Sequence, residues 1–71
     1  MAYEIACELV ANVIGISVQA GDAVVVGTEM VLLESMKMEI PVLSDRVTSV
    51  LEVKVQIGDV VQEGDVLVVL A

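Results

Sequence analysis

A chain of 71 residues allows one small domain, because so short a chain has little interior to bury. Its 3 lysine and arginine residues stand against 11 aspartate and glutamate residues, and the formal net charge of −8 opposes binding to nucleic acid or anionic lipid. The longest uncharged stretch, from Leu9 to Gly21, contains polar residues and falls short of the about 20 apolar residues that a membrane-spanning helix needs. No transmembrane segment is predicted.

Short β-strands are predicted along the whole chain, and no helix. Apolar and polar residues alternate as they do in half-buried strands, and the main apolar residues are valine and isoleucine, which favour strands. Gly-Asp pairs separate the apolar runs, which is typical of tight turns. In chain order the strands are predicted near residues 3–10, 12–19, 22–26, 29–34, 38–43, 47–56, 59–62 and 65–70.

The chain contains an internal repeat. A shift of 37 residues lays residues 10–34 over residues 47–71 and carries Gly21 onto Gly58. The shift also keeps the alternation in register, so the same face of the long strand in each half is predicted to point inward. The inward residues are predicted to be Ile14, Ile16 and Val18 in the first half, and Leu51, Val53 and Val55 in the second.

Two related halves of short strands predict an all-β fold, a flattened β-barrel or sandwich of about eight strands with an approximate twofold axis between the halves. Residues 31–34 and 66–70 are almost continuously apolar and occupy equivalent places, so they are predicted to form the centre of the core. We expect residues 1–71 to form a single domain.

The N-terminal ten residues carry two further indications. They alternate between apolar and polar and do not form the basic and apolar blocks of a secretory signal, so a cytoplasmic location is expected. Cys7 is the only cysteine and has no partner for an internal disulfide, so it is predicted to be a small buried apolar residue.

The segment ESMKMEI, which begins at Glu34, joins the two halves. Because the second half begins near Pro41, Lys37 is predicted at the tip of a hairpin between them. The repeat supplies no second lysine of this kind, since the position 37 residues earlier would precede the chain. Arg46 and Lys54, the other two basic residues, are predicted to be ordinary surface cations.

The two methionines beside Lys37 are expected to differ. Alternation places Met38 on the same strand face as Ile40 and Val42, so Met38 is predicted to be a core residue. Met36 is then the predicted contact for a partner, because methionine offers an adaptable apolar surface.

The segment ESMKMEIPV, with its flanking Gly-Asp pairs, resembles the biotinyl/lipoyl attachment domains, and within that family the biotinyl branch. The resemblance covers about residues 4–71, and the length is similar to that of small stand-alone bacterial biotinylated proteins of the biotin carboxyl carrier type. It implies that a biotin protein ligase attaches biotin to Lys37 and that the chain carries carboxyl groups for a biotin-dependent carboxylase. The implied partners are this ligase and biotin carboxylase and carboxyltransferase subunits. The residues implied in recognition are Glu34, Ser35, Met36, Met38 and Glu39.

The chain departs from the family pattern at three positions. Ser35 stands where alanine is usual in the family, and Ala11 and Thr48 stand where family members often carry glycine. A glycine there would permit a positive φ or a close backbone approach, so Thr48 is expected to be strained if the site requires a positive φ.

Two other functions remain open. A lipoyl-type acyl carrier could use the same fold, although the family's lipoyl branch usually has Asp-Lys-Ala at the turn and both neighbours here are methionine. An unmodified small β-sandwich interaction module would carry Lys37 incidentally. The sequence has no histidine and offers neither a metal-ligand cluster nor a nucleophile-base pair, so we expect no catalytic residue and no metal site. We expect a monomer that is a carrier and not an enzyme.

Overall fold

The computed structural model of the chain describes residues 2–71 as strands, turns and short loops. Within this range the structure has no helix with the length and hydrophobicity that crossing a bilayer would require. In chain order the strands are β1 (Tyr3–Ala6), β2 (Ala11–Ile16), β3 (Ala23–Val24), β4 (Glu29–Ser35), β5 (Met38–Leu43), β6 (Thr48–Val53), β7 (Val60–Val61) and β8 (Val66–Leu70).

The strands form two four-stranded antiparallel sheets, ordered β1-β8-β6-β3 and β5-β4-β2-β7. The repeat relates one sheet to the other, because the shift that carries β1 onto β5 also carries β4 onto β8, β2 onto β6 and β3 onto β7. Each sheet therefore takes its central strands from one half and its edge strands from the other. The predicted all-β fold is confirmed, as a flattened sandwich of two separate sheets and not as a closed barrel.

The first strand is shorter than predicted. It ends at Ala6 and not near residue 10, because the chain leaves the ladder at Cys7 to cross to the other sheet. The Cys7 N–H donates to the Asp65 carbonyl oxygen at 2.8 Å, and the Cys7 carbonyl accepts from the Gly64 N–H at 2.9 Å. These bonds fix the start of the β1–β2 connection against the turn before β8.

The core lies between the two sheets, and its centre is where the continuously apolar runs predicted it. In β4 and β8, Val31, Leu33, Leu67, Val68 and Leu70 are at most 2% exposed. The complete buried apolar set among the described residues is Cys7, Ala11, Val13, Val24, Met30, Val31, Leu33, Val50, Val55, Val61, Leu67, Val68 and Leu70.

Two repeat-equivalent β-bulges aim side chains into this core. The β1–β8 register shifts so that Leu67 has no residue opposite it, and the β4–β5 register shifts in the same way at Met30. A bulge inserts one extra residue and re-aims its side chain. Met30 and Leu67 are both fully buried, so each bulge adds a large apolar side chain to the interior.

A second pair of bulges changes the predicted inward face. The β2–β4 register skips Ile14, and the β6–β8 register skips its repeat-equivalent Leu51. The prediction that Leu51 points inward is wrong, because this bulge breaks the alternation and leaves Leu51 half exposed. Ile14 is partly buried but outside the core cluster. The other predicted inward residues do face the core, namely Ile16, Val18, Val53 and Val55.

Thr48 is not strained. Among residues 2–71 the non-glycine residues with positive φ are Met36 and Lys37, so the position of Thr48 does not require a glycine. Its hydroxyl donates to the Ala71 carbonyl oxygen at 2.7 Å, and it pairs with Val24 at the start of β6. Its repeat-equivalent Ala11 is buried and pairs with Val61 in the corresponding place.

Cys7 and Ser44 are repeat-equivalent and make the same contact. The Cys7 thiol donates to the Leu9 carbonyl oxygen, and the Ser44 hydroxyl donates to the Arg46 carbonyl oxygen, each at 2.7 Å. Both side chains are almost fully buried, as predicted for Cys7. Each therefore ties the connection after an edge strand to the core.

Replacing Ser44 with alanine is expected to lower the free energy of unfolding by about 1–3 kcal/mol, because the change removes a buried hydrogen bond and leaves its acceptor unpaired. Cys7→Ser is the matched control, because the new hydroxyl can make at position 7 the hydrogen bond that the Ser44 hydroxyl makes at the equivalent position. We expect Cys7→Ser to lower the free energy of unfolding by less than Ser44→Ala. Urea denaturation of both variants measures the difference, and equal losses would contradict the role assigned to the Ser44 hydroxyl.

Candidate modification site

Lys37 lies in the two-residue turn that joins β4 to β5. Ser35 and Met38 pair across the two strands, which leaves Met36 and Lys37 as the central residues of the turn. Both have positive φ, 52° for Met36 and 64° for Lys37, and this combination is the signature of a type I′ hairpin turn. Lys37 therefore occupies the hairpin tip that the sequence predicts.

This turn is strained. A residue with a Cβ atom in the left-handed region costs about 1–2 kcal/mol, and type I′ turns usually carry Asn and Gly at their two central positions. The paired strands β4 and β5 hold the turn, with Leu33 in the core opposite Ile40. The tip thus presents Lys37 from a fixed backbone, and strain of this kind is common at functional sites.

All three residues of the Met36-Lys37-Met38 segment are exposed, with Met36 at 92% and Met38 at 63%. The prediction that Met38 is a core residue is wrong. Met38 shares a strand face with Ile40, which does pack against the core, but the core ends at the pair of Leu33 and Ile40. Met38 lies beyond that end and adds its apolar surface to the tip.

The other two cations are held by neighbouring carboxylates. Lys54 pairs with Glu52 at 3.2 Å and is an ordinary surface cation, as predicted. Arg46 donates from Nε to Asp45 at 2.9 Å, and its guanidinium lies 3.5 Å from the centre of the Tyr3 ring. The Arg46 side chain therefore also links the loop after β5 to β1 by a cation–π contact, which the sequence analysis did not predict.

The ion pair shifts the pKa of both partners. The hydrogen bond from Arg46 lowers the pKa of Asp45, and the same bond raises the pKa of Arg46. Lys37 forms no ion pair with the part of the chain that the structure describes. Of the three basic side chains of the chain, that of Lys37 is therefore the one that no carboxylate of residues 2–71 holds.

A row of exposed side chains crosses the outer face of the second sheet next to the tip. Glu39 lies opposite Glu34, Glu34 lies opposite Asn12, and Asn12 lies opposite Val60. We call these four residues the tip row. The two glutamates are like charges at directly opposed positions, an arrangement that destabilises an antiparallel pair.

The repeat supplies a comparison for the tip row at the other end of the molecule. There Ala71, Ser49 and Ala23 are the equivalents of Glu34, Asn12 and Val60, and they form the corresponding contacts. The same backbone thus carries small uncharged residues where no lysine is displayed. The fold therefore does not require a glutamate at the position of Glu34.

The hairpin brings together all the predicted site residues, which are Glu34, Ser35, Met36, Lys37, Met38 and Glu39. Sequence reasoning missed Asn12 and Val60, which reach the site through strand pairing from β2 and β7. Within residues 2–71, no group of three or more Cys, Asp and Glu side chains is placed to hold a metal ion. The chemistry that the tip offers is therefore that of one exposed primary amine, a group suited to covalent attachment.

Replacing Met36 with asparagine is expected to raise the free energy of unfolding by about 1 kcal/mol, because asparagine tolerates positive φ and favours type I′ turns. The melting temperature should then rise by about 4–8 °C. Met38→Asn is the control, since Met38 lies in a strand, where asparagine is unfavourable. Thermal unfolding followed by circular dichroism tests this, and the absence of stabilisation in Met36→Asn would contradict the strain.

Comparison with known proteins identifies the family. The family model of the biotin/lipoyl domain, described as "Biotin-requiring enzyme", matches residues 5–70. A biotin/lipoyl attachment protein of Bacillus subtilis is 46% identical over 67 residues, which cover 94% of this chain and 92% of the relative. A homologue of biotinylated protein TB7.3 from Mycobacterium leprae is 46% identical over 71 residues, which cover 100% of both chains.

The fold is also found inside a much larger enzyme. A solved structure of a single-chain, multi-domain long-chain acyl-CoA carboxylase matches 99% of this chain with a TM-score of 0.91 and 27% identity. The match covers 7% of that enzyme, so the similarity concerns one domain of it. Together with the family match over residues 5–70, it shows that this chain belongs to the biotin/lipoyl attachment family, as a biotinyl-type carrier domain and not as an enzyme.

Proposed function

We propose that a biotin protein ligase attaches biotin covalently to Lys37, and that the tethered biotin carries carboxyl groups for a biotin-dependent carboxylase. The observation that carries the proposal is the position of Lys37, exposed in a strained two-residue turn between Met36 and Met38. In this proposal residues 1–71 act as one carrier domain, and catalysis belongs to the ligase and to the carboxylase subunits.

The attachment forms one amide bond. Lys37 first gives an ammonium proton to a base of the ligase, and its neutral Nζ then attacks the carbonyl carbon of biotinyl-AMP, the activated acyl group. The bond between that carbon and the phosphate oxygen breaks, AMP leaves with the electron pair, and the nitrogen loses a second proton to solvent as the amide forms. The chain contributes placement, because the turn backbone holds the amine at the tip and Lys37 has no ion pair within residues 2–71 to break.

The side chains around Lys37 are proposed to form the docking surface for these partners. Met36 and Met38 give flexible apolar area that can adapt first to the ligase and then to a carboxylase. Glu34 and Glu39 give a local negative charge that favours a basic partner surface and speeds the encounter. Ser35 is a half-buried small residue that lets the two strands close directly below the turn.

Bound biotin would supply a ureido nitrogen that accepts and releases a carboxyl group. The residues of the tip fit such a group, since an exposed amine with exposed neighbours leaves room for an acyl substituent. The contribution of the chain is to present the arm at one end of a rigid body that is 32 Å long. Tethering raises the local concentration of the carried group at the partner sites.

A lipoyl-type acyl carrier is the second candidate, because the Bacillus subtilis relative is described as a biotin/lipoyl attachment protein. Methionine on both sides of Lys37 favours biotin over lipoate. An unmodified interaction module is the third reading, and it predicts that Lys37 keeps a free amine in the presence of both ligases.

Co-expression of the chain with a biotin protein ligase, and separately with a lipoate ligase, tests the proposal. We expect the intact mass to rise by one biotinyl group with the first enzyme, with complete avidin binding, and to stay unchanged with the second. A gain of one lipoyl group would support the second candidate. No gain with either ligase would overturn the carrier function.

A further inference from the structure

A partly open cavity of about 280 Å³ lies between β1 and β5, the edge strands of the two sheets. Residues 5–9 line one side of it and residues 40–43 line the other. The buried side chains of Leu33 and Leu67 also line it, so the cavity reaches the core. We call this cavity the side slot. It is a mostly apolar space that opens to solvent at the side of the sandwich.

The side slot lies on the face of β5 that leads to Lys37. Met38, Ile40 and Val42 alternate along this face, and Ile40 and Val42 line the slot. Met38 lies between the slot and the turn, and it is exposed. Ile40 follows Lys37 by three residues, a distance of roughly 10 Å at about 3.3 Å per residue. The surface of Met38 therefore connects the modification site to the slot.

The repeat shows what closes the equivalent place at the other end of the molecule. The equivalents of Ile40 and Leu9 are Tyr3 and Arg46. The Arg46 guanidinium lies 3.5 Å from the centre of the Tyr3 ring, so these two side chains bridge β1 and the loop after β5. Ile40 and Leu9 are aliphatic and cannot form a cation–π contact. The side slot therefore lacks the bridge that its repeat-equivalent has.

Glu8 supplies a hydrogen-bond acceptor at the side slot, because it is one of the lining residues. Its repeat-equivalent Asp45 accepts from Arg46 at 2.9 Å, whereas Glu8 forms no salt bridge within residues 2–71. A carboxylate accepts from two neighbouring N–H donors at once. The slot thus combines an apolar interior with one acidic group that is available to a ligand with paired N–H groups.

We propose that biotin attached to Lys37 folds back over Met38 and rests with its two-ring head in the side slot. The head has an apolar thioether ring, which matches the aliphatic lining formed by Leu33 and Ile40. Its ureido group has two N–H donors, which match the carboxylate of Glu8. The chemistry of the head therefore agrees with both parts of the slot.

The size of the side slot and the length of the arm agree with this placement. A cavity of about 150 Å³ holds benzene, so a slot of about 280 Å³ has room for the two-ring head. About eleven bonds join the Lys37 Cα atom to the head, and they span roughly 13 Å when extended, since three chain bonds span about 3.3–3.6 Å. The arm is therefore long enough to bring the head to Ile40.

This inference rests on the proposed attachment of biotin to Lys37 and adds a resting position for the tethered group. A weak site is sufficient, because a short tether gives a local concentration in the millimolar range. The docked and the extended arm are then in equilibrium, and a partner enzyme takes the extended form. Its apparent affinity falls in proportion to the docked fraction.

Nuclear magnetic resonance of the biotinylated chain tests the proposal, once intact mass has established that one biotinyl group is attached. We expect nuclear Overhauser effects between the protons of the biotin head and the methyl groups of Leu33. We also expect amide shift changes, relative to the unmodified chain, that extend from the turn to residues 7–9. An arm that stays extended would confine these changes to the neighbours of Lys37.

The variant Leu9→Arg with Ile40→Tyr transplants the residues of the bridged end into the side slot. It should be biotinylated completely and lose the nuclear Overhauser effects to Leu33. Glu8→Gln keeps the apolar lining and should lower their intensity by at least about twofold, because a charged acceptor forms the stronger hydrogen bond. Ile57→Ala is the control, since Ile57 is exposed and does not line the slot, and it should leave the effects unchanged.

Three results would overturn the inference: shift changes in the biotinylated wild type that stop at the turn, effects of full intensity in the transplanted variant, or an equal loss in Ile57→Ala. If the transplanted variant does not fold, Glu8→Gln decides by the same criterion. A chain that takes no biotin at Lys37 would overturn the proposed function itself, and intact mass distinguishes that failure from the absence of docking.

Discussion

Replacing Lys37 with arginine is expected to abolish modification of the chain and leave its fold unchanged. Arginine keeps the positive charge and the length of the side chain, but its guanidinium is not acylated by the activated biotinyl group. The side chain is exposed at the turn, so its exchange disturbs no packing. Intact mass after co-expression with the biotin ligase should show one biotinyl group on the wild type and none on Lys37→Arg.

Lys54→Arg is the matched control for this result, because Lys54 is the one other lysine of the chain and lies on the surface beside Glu52. This variant should be modified as completely as the wild type. A biotinyl group on Lys37→Arg, or its loss from Lys54→Arg, would contradict the assignment to the hairpin tip.

Replacing Leu67 with alanine is expected to cost about 2–5 kcal/mol of folding free energy. Leu67 is fully buried at a bulge, and truncation of a buried leucine loses apolar contact and leaves a cavity. A small domain has only about 5–15 kcal/mol of total stability, and a chain of this size belongs near the lower limit. Thermal unfolding should show a fall of at least about 8 °C, because each kcal/mol corresponds to roughly 4–8 °C in such domains.

Met30→Leu is the control for the Leu67 experiment. Met30 is fully buried at the repeat-equivalent bulge, and exchange with leucine nearly conserves volume, so the expected cost is below about 1.5 kcal/mol. Comparing the loss of folding free energy in the two variants separates the effect of a cavity from the effect of replacing any residue at a bulge. A loss in Leu67→Ala no larger than that in Met30→Leu would show that the bulges do not support the core.

The internal repeat explains why much of the fold could be predicted. The shift that carries Gly21 onto Gly58 identifies two copies of one strand pattern, and the two halves support each other's boundaries. The bulges could not be predicted, because an extra residue in one strand changes no residue type and shows only when the partner strand is known. Leu51 is therefore exposed, although its position in the alternation indicated burial.

The site was predicted to the extent that its residues are adjacent in the chain. Lys37 lies at the junction of the two halves, and a junction of two strands is where a hairpin turn forms. Alternation predicts a core position for Met38 because it indicates the face of a residue and not where the opposite sheet ends. Asn12 and Val60 were missed because they meet Glu34 only through pairing between distant strands.

The exchange of strands between the two halves has a consequence for folding kinetics. Every strand of the first half pairs with one of the second, β1 with β8, β2 with β7, β3 with β6 and β4 with β5. Apart from the β4–β5 hairpin, these pairings join strands far apart in the chain, and folding that depends on such non-local contacts is comparatively slow. Neither half can complete a sheet alone. The two sheets are therefore complete only after β8 has been synthesised, so a modifying enzyme that requires the folded domain acts after that point.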